Sequence, residues 1–320
     1  MRQLLLISVL ALGSITLSTP SYARSEVVAN ANYIINGEGV RLRAEPTTSA
    51  KELGKLALGT AVTPLQKTPT QSTVAGKTAH WYQVKTAQGT GWVFGSFLIP
   101  AQNYETGVLE LLRTKLKVES TPFADAVALY QLAHKAAAQA KGRSNKGELE
   151  LYKLMALQKS FDSIPADQLE KAPYQAWVKQ HNNKTAFYDE ISGQYRVATQ
   201  SFWALADQYK RDPIGDTITW QAASHYPGGE CEGFIGCMSG RSQMMEGEYL
   251  KRFPKGRYVK SALNQVNETL KYMVEEWKKP EQDTRDADLK AWATLLKPLA
   301  NTPEAIKARN YLKQLQALKS

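Results

Sequence analysis

The pattern of hydrophobic and polar positions divides the chain into two parts that meet near residue 100. In the first part, short runs rich in β-forming residues alternate with glycine, proline and threonine, at 40–43, 61–65, 81–85 and 91–94. Several short strands at this spacing are typical of a small barrel or sandwich. In the second part, apolar residues recur at helical spacing among Ala, Lys, Gln and Glu. The predicted fold class is therefore multidomain β + α, with a small β-barrel followed by an α-helical domain of hairpin units.

Alternation along two of these strands predicts which side chains point into the small core. The inward-facing residues are Tyr82, Val84 and Val93. The outward-facing residues are Trp81, Lys85, Trp92 and Phe94. Three aromatic rings beside a lysine predict a binding surface for a peptide or glycan strand. The alternative is that these rings close the open side of a barrel too small to bury them, or pack against the helical domain, since a large exposed apolar patch needs a reason.

Residues 32–99 resemble the bacterial SH3 family, whose parts occur here in family order. The segment GEGVRLRAEPTTSAKELGKLALGTAVTPL resembles its opening, with outward basic residues, a proline-bearing loop and a G-x-x-V strand. The segment WYQVKTAQGTGWVFGSFL resembles its closing strands, with a glycine turn and GWV. One departure is the long connection KTPTQSTVAGKTA at 67–79, which predicts an exposed, mobile hairpin tip. The resemblance implies an SH3-like β-barrel that binds in the cell envelope, with peptidoglycan as a candidate ligand.

The helical part contains a local internal repeat. The segment YKRDPIGDTI at 209–218 aligns without a gap with LKRFPKGRYV at 250–259, and LEKAPYQAW at 169–177 is interpreted as a degraded third copy. In the two full copies, basic residues suit a helix end, proline stops the helix, and glycine allows the turn into the next one. Such units predict stacked helical hairpins. The segment EYLKRFPKGRYVKSAL resembles the turns of tetratricopeptide-like repeats, although the usual period of about 34 residues is not kept.

The N-terminal residues 1–23 have the three parts of a cleavable secretory signal peptide. Arg2 supplies the positive charge, residues 4–17 are largely apolar, and Ser21 and Ala23 place small side chains before the cleavage site. The apolar stretch is too short to cross a membrane, which takes about 20 residues. The sequence therefore predicts a periplasmic or secreted protein with no stable membrane insertion after cleavage of the signal.

The predicted organisation is a signal peptide at 1–23, a linker at 24–31, an SH3-like domain at 32–99 and a helical repeat-like domain at 104–320. The chain has 40 Lys and Arg residues against 30 Asp and Glu residues, a formal charge of +10. A basic exported protein commonly meets anionic envelope material or acidic proteins. Nucleic acid is not a predicted partner, because the lysines are scattered and export removes the protein from it. The predicted partner is peptidoglycan or an envelope protein.

The two cysteines, Cys231 and Cys237, lie in a glycine-rich loop at 229–240. In an oxidising compartment a close pair in such a loop favours a disulfide. A metal site or a redox pair is the alternative, but a metal site would need more ligands, and His225 is the only nearby imidazole. No cofactor and no metal are predicted. The loop is interpreted either as a structural staple or as a recognition element on a rigid scaffold.

Catalytic groups do not form a complete set in the sequence, so the chain is predicted not to be an enzyme. No histidine follows Cys237, and there is no GxSxG, SxxK or phosphate-binding glycine loop. Carboxylates for glycoside cleavage are harder to exclude, because the fold sets their spacing. The candidates are Glu230, Glu232, Asp207, Asp212 and Asp216. The predicted function is non-enzymatic binding or scaffolding in the cell envelope. The alternative is a cell-wall hydrolase, a lytic glycosidase or a peptidase, with the SH3-like domain as its targeting module.

Overall fold

A computed structural model describes residues 32–277 and 282–318. The predicted signal peptide at 1–23 and linker at 24–31 lie outside the described residues. Both of the predicted structural classes occur in the expected order. A sheet-rich N-terminal part is followed by a helical part whose first helix begins at Tyr104.

The N-terminal part consists of short antiparallel strands. The strands are β1 (Asn32–Ile35), β2 (Val40–Arg43), β3 (Glu52–Leu56), β4 (Ala61–Lys67), β5 (Ser72–Val74), β6 (Lys77–Ala79), β7 (Trp81–Thr86), β8 (Gly89–Phe94) and β9 (Leu98–Ala101). Seven of them form one sheet in the order β3-β2-β8-β7-β4-β1-β9. Strands β5 and β6 pair separately, as a hairpin within the long connection at 67–79.

The prediction of a barrel is wrong in one respect, because the sheet does not close. In the described part of the chain, β3 and β9 are the two edges of the strand order and form no ladder with each other. The edge strands are only five and four residues long, too short to continue the tilted, staggered pairing that closure requires. Helix α1 (Tyr104–Leu116) packs against β1 and β9 instead of a further strand.

The inner face of the sheet buries a small apolar core. The core residues are Ile35, Val40, Leu42, Leu56, Val62, Val84 and Val93. Tyr82 packs against this core and is partly buried. The alternation predicted for β7 and β8 therefore places these inward-facing side chains correctly.

Helices make up most of the remaining chain. They are α1 (Tyr104–Leu116), α2 (Phe123–Gln139), α3 (Arg143–Asp162), α4 (Tyr174–His181), α5 (Thr199–Tyr209), α6 (Gly215–Ser224), α7 (Ile235–Ser242), α8 (Glu248–Arg252), α9 (Val259–Glu276), α10 (Gln282–Leu296) and α11 (Pro303–Ala317). A π-helical turn at Gln243–Gly247 connects α7 with α8. Among the described residues, no helix combines the length and the apolar character needed to cross a membrane.

The helical part also contains a β-hairpin that the sequence analysis does not predict. Strands β10 (Ala186–Asp189) and β11 (Gln194–Val197) pair antiparallel. Aromatic and β-branched residues flank a turn in which Gly193 has a φ of +65°. Such residues fit a pleated strand, and glycine adopts positive φ without strain. The prediction of a purely helical domain therefore missed this local exception.

The sheet and the first helices share a packed junction. Ile34 of β1 lies in one apolar cluster with Val108 and Leu112 of α1. Gly107 makes this close approach possible, because a Cβ there would lie 2.3 Å from Ile34 Cδ1 and 2.6 Å from Ala101 Cβ. The two parts are therefore in direct contact in the described structure.

Both full copies of the repeated segment connect one helix to the next. In the first copy the turn after Tyr209 ends α5, and Gly215 begins α6. In the second copy α8 ends at Arg252, and Gly256 precedes α9. The predicted role in helix connection thus agrees with the described helices, whereas a tandem repeat architecture stays a prediction.

Candidate functional site

The predicted aromatic surface lies on the outer face of β7 and β8. The register pairs Trp81 with Phe94, Gln83 with Trp92, and Lys85 with Thr90. Directly opposed residues in an antiparallel ladder point to the same face of the sheet. The four predicted residues Trp81, Lys85, Trp92 and Phe94 therefore share one face, as the alternation predicts.

Two of the four predicted surface residues are not exposed, which corrects the sequence-based expectation. Trp81 and Phe94 are each 3% exposed, and their ring centroids lie 5.3 Å apart. At Trp81 the chain that follows β4 continues the pairing of β4 with β7. The Thr68 N–H donates to the Trp81 carbonyl at 2.9 Å, and the Trp81 N–H donates to Thr68 Oγ1 at 3.1 Å. These two rings are therefore part of the buried interior and do not contribute to a solvent-facing binding surface.

Trp92 is the aromatic residue of this face that solvent can reach. It is half-buried, whereas its neighbour Phe94, two residues along the same strand, is buried. A hydrogen-bonded polar side chain lies opposite Trp92 on each neighbouring strand, Gln83 on β7 and Arg43 on β2. Gln83 accepts a hydrogen bond from Gln66 Nε2 at 2.9 Å, and Arg43 donates to the Ala50 carbonyl at 2.8 Å. The Trp92 ring therefore lies between side chains whose hydrogen bonds hold them in place.

The face around Trp92 is basic. Arg41 and Arg43 belong to it through the Arg43–Trp92 register, and Lys85 is exposed at its other end. Glu52 contributes one negative charge and forms an ion pair with Arg41 at 3.2 Å. We call Arg41, Arg43, Gln83, Lys85 and Trp92 together the Trp92 face. It combines a partly exposed indole ring with the exposed positive charges of Arg41 and Lys85, while Arg43 is buried.

A second site lies in the helical part, at the glycine-rich loop. Cys231 and Cys237 form the predicted disulfide, with a Cα–Cα distance of 5.5 Å. The predicted loop at 229–240 is wrong in its second half, because α7 (Ile235–Ser242) begins there and carries Cys237 in spite of the glycines. The loop borders an open cleft of about 590 Å³ between the end of α6, the π-helical turn and α9. The polar side chains that line the cleft are Ser224, His225, Tyr226, Glu230, Glu232, Arg241, Ser242, Glu246, Gln265 and Thr269. We call this space the loop cleft.

Asp189 at the end of β10 ties the loop to the β-hairpin. It is 3% exposed, accepts a hydrogen bond from the Gly229 N–H at 3.0 Å, and pairs with Arg196 at 3.2 Å. The Ser192 hydroxyl donates to the same carboxylate at 2.6 Å. These interactions lower the pKa of Asp189 to about 2, and the hydrogen bond from the Gly229 N–H has the largest effect. The unpredicted hairpin is therefore an anchor for the predicted loop.

Replacing Asp189 with Asn should destabilise the protein at neutral pH and lose most of this effect in acid. A carboxyl with an ordinary unfolded-state pKa of about 3.9 and a lowered native pKa stabilises the fold above that range. The contribution disappears as the pH falls towards about 2. Urea unfolding of both proteins over a pH series measures the difference. Asp167→Asn is the control, since Asp167 is exposed and forms an ion pair with Lys171 at 3.9 Å. An equal effect of the two substitutions would contradict the anchoring role.

The aspartates considered for catalysis have structural partners outside the loop cleft. Asp207 pairs with Arg252 at 2.7 Å, and Asp212 pairs with Arg143 at 2.9 Å. Asp216 accepts hydrogen bonds from the Tyr249 hydroxyl at 2.6 Å and from the Arg257 N–H at 2.8 Å. The structure does not bring these three to one place with the glutamates of the loop.

Glu230 and Glu232 do line the loop cleft, together with a third acid that the sequence analysis missed. Glu246 lies in the π-helical turn and is half-buried, and burial raises its pKa above the ordinary value. The spacing along the sequence does not predict that Glu246 lies near the loop. A π-helical turn and the packing of α7 bring them to the same cleft. Within the described chain, no group of three or more His, Cys, Asp or Glu side chains is arranged to hold a metal ion.

Comparison with known proteins bears on the first of these two sites. Residues 38–99 match the family model of the bacterial SH3 domain. No curated protein and no solved structure matches the chain. The matched residues include most of the seven-stranded sheet and all of the Trp92 face. Residues 38–99 are therefore a bacterial SH3 domain, and a helical region follows it.

Proposed function

We propose that the chain is an exported, non-enzymatic protein that binds in the cell envelope through the Trp92 face. Bacterial SH3 domains are commonly cell-wall binding modules, which supports this assignment for residues 38–99. Peptidoglycan or an envelope protein is the ligand. The helical region serves as the scaffold that the SH3 domain attaches to the envelope.

The observation that carries the proposal is the partial exposure of Trp92 on a basic face. An indole ring offers an apolar surface on which a sugar ring or a peptide side chain can pack. The buried side chains of Trp81 and Phe94 pack on the same two strands that carry the Trp92 face. The Trp92 ring therefore loses little conformational entropy when a ligand binds. Arg41 and Lys85 supply positive charge, which complements anionic groups of the envelope.

The proposed export is supported by two independent features. Residues 1–23 have the parts of a signal peptide. The bond between Cys231 and Cys237 fits an oxidising compartment, where structural disulfides persist. The proposed location is the periplasm or the extracellular space.

Replacing Trp92 with Ala should reduce binding to purified peptidoglycan by at least about tenfold, because aromatic anchors dominate binding surfaces. Co-sedimentation of the full-length protein with the cell-wall polymer measures this loss. Trp92→Phe, which keeps a ring, should retain part of the affinity. Phe97→Ala is the matched control, since Phe97 is 37% exposed on the same domain but lies outside the Trp92 face.

Equal binding by the Trp92→Ala and native proteins, with both folded by circular dichroism, would contradict the proposed surface. If Trp92→Ala fails to fold, the folded Trp92→Phe variant is compared with Phe97→Ala instead. Binding of an envelope protein rather than peptidoglycan would be detected by repeating the assay with envelope extracts and the same variants.

A second candidate function is a cell-wall hydrolase that acts in the loop cleft. The observation in its favour is the group of Glu230, Glu232 and Glu246 around one cleft. Incubation of the oxidised protein with purified peptidoglycan, followed by chromatography of the supernatant, tests it. The proposed non-enzymatic function predicts no release of soluble fragments, whereas release that depends on Glu246 would replace it with the hydrolase function.

A further inference from the structure

The loop cleft lies in the helical region, apart from the Trp92 face. Its walls come from the glycine-rich loop, from α7 with the π-helical turn, and from α9, which contributes Gln265 and Thr269. A cleft of about 590 Å³ lies in the usual size range of small-molecule sites. None of its lining residues belongs to the bacterial SH3 domain.

The charges of the cleft are opposite to those of the whole chain. The chain has a formal charge of +10, yet three glutamates and one arginine line this space. Arg241 is directed to the loop: it donates to the Gly228 carbonyl at 3.4 Å and lies 5.9 Å from the centre of the Tyr226 ring. The cleft is therefore an acidic concavity in a basic protein, which favours a cationic ligand.

Two polar groups of the wall, the Glu246 carboxylate and the Ser242 hydroxyl, lie side by side away from the ion pairs of the described structure. Glu246 forms no ion pair with any side chain that the structure describes. Ser242 lies beside it and is only 6% exposed; its hydroxyl faces the Glu246 carboxylate but makes no hydrogen bond of standard geometry with a described group. Buried polar groups usually have partners, so this pair points to one that arrives with a ligand.

The arrangement of the acids distinguishes an organic cation from a metal ion. The three glutamates are spread around the cleft, and the described residues form no cluster able to hold a metal. Met238 and Met245 contribute apolar surface next to them. Methionine side chains adapt to unbranched aliphatic groups, and an ammonium group offers three hydrogen-bond donors and no acceptor. We propose that the loop cleft binds a ligand that carries a primary ammonium group on an aliphatic chain, as a lysine-type peptide side chain does.

The loop side of the cleft is held in place before any ligand binds. The disulfide closes the loop at 231–237, and Asp189 holds it at Gly229. The Tyr226 hydroxyl donates to the Gly229 carbonyl, and Arg196 lies 4.8 Å from the centre of the Tyr226 ring. A pre-ordered wall lowers the conformational entropy lost on binding. Glu230 and Glu232 are thereby presented at the rim, and Glu246 lies deeper in the cleft.

The test uses the oxidised full-length protein and the peptide acetyl-Gly-Lys-Gly-amide, with its Nε-acetyl-lysine analogue as the uncharged comparison. Isothermal titration should show binding of the lysine peptide and at least about tenfold weaker binding of the analogue. Glu246→Gln should weaken binding of the lysine peptide by about tenfold or more. Glu119→Gln makes the same charge change at an exposed position outside the cleft and should leave the affinity unchanged.

Trp92→Ala should also leave peptide binding unchanged, so this proposal and the proposed envelope binding fail or succeed separately. If Glu246→Gln does not fold, the double variant Glu230→Gln/Glu232→Gln, at exposed positions, is tested instead. Equal affinity for the two peptides, no binding of the lysine peptide at millimolar concentration, or unchanged binding by the folded glutamate variants would each overturn the proposal.

Discussion

Replacing Trp292 with Ala should lower the free energy of unfolding by about 3–5 kcal/mol, the usual cost of removing a large buried aromatic side chain. Trp292 in α10 is fully buried in the core of the C-terminal helices. Its indole N–H donates to Ser239 Oγ at 3.0 Å, and Ser239 lies on α7, the helix that carries Cys237. The substitution would therefore open a cavity and also remove a link between the last helices and the disulfide loop.

Chemical denaturation followed by far-ultraviolet circular dichroism measures this loss. Trp292→Phe is the matched variant, because it keeps an apolar ring but lacks the N–H donor. Ser239 Oγ also hydrogen-bonds Gln243 Nε2 at 3.1 Å, so its hydroxyl keeps a partner in this variant. The expected cost of Trp292→Phe is about 1–2 kcal/mol. Similar costs for the two substitutions would show that the cavity does not dominate.

Replacing Gly215 with Ala should destabilise the protein by about 1–3 kcal/mol, the cost of forcing an extra group into packed space. A Cβ at Gly215 would lie 2.3 Å from the Tyr209 carbonyl oxygen. Because that oxygen belongs to the backbone, the whole turn between α5 and α6 would have to move. At the matching position of the second copy, a Cβ on Gly256 would lie 2.4 Å from the Tyr249 hydroxyl and 2.7 Å from Asp216 Oδ1.

Gly240→Ala is the control for both glycine substitutions. Gly240 lies inside α7, and a Cβ there would meet no atom within 4 Å. Alanine is favoured over glycine in a helix, so this substitution should stabilise the protein by up to about 1 kcal/mol. Thermal or urea unfolding of the three variants compares the effects. A stabilising effect at Gly215 would contradict the steric role of the repeated glycine.

For the repeated glycine, the sequence predicts the position of the helix connection but not the reason why glycine is needed there. The alignment correctly marks the ends of α5 and α8, since basic residues followed by proline disfavour a continuing helix. Glycine is expected there for its freedom to turn. Neither Gly215 nor Gly256 has a positive φ, and the structure shows that close approach of neighbouring atoms excludes a side chain at both positions.

The disulfide and the outer strand faces were also accessible from the sequence, because both follow from local spacing. Cys231 and Cys237 are close in the chain, and alternation places Trp81, Trp92 and Phe94 on one face. Exposure of those rings could not be read in the same way. It depends on which other segments of the folded chain pack over each ring, and the structure buries Trp81 and Phe94 while Trp92 stays partly exposed.

The composition of the loop cleft depends on long-range packing, which a single sequence does not reveal. Asp189, Gly229 and Glu246 come from a hairpin, a loop and a π-helical turn that meet only in the folded chain. The five carboxylates selected from the sequence were grouped by their proximity along the chain. In the structure two of them line the cleft, while Asp207, Asp212 and Asp216 connect helices and turns.

The most direct measurement for the central claim is hydroxyl-radical footprinting of the full-length protein, free and bound to purified peptidoglycan. Trp92 is half-buried on the Trp92 face, whereas Tyr188 is 45% exposed on the distant β10 strand and serves as the internal reference. Binding through the bacterial SH3 domain predicts that oxidation of Trp92 falls strongly in the bound protein and that oxidation of Tyr188 does not change. Unchanged oxidation of Trp92 in protein that is demonstrably bound would contradict the account.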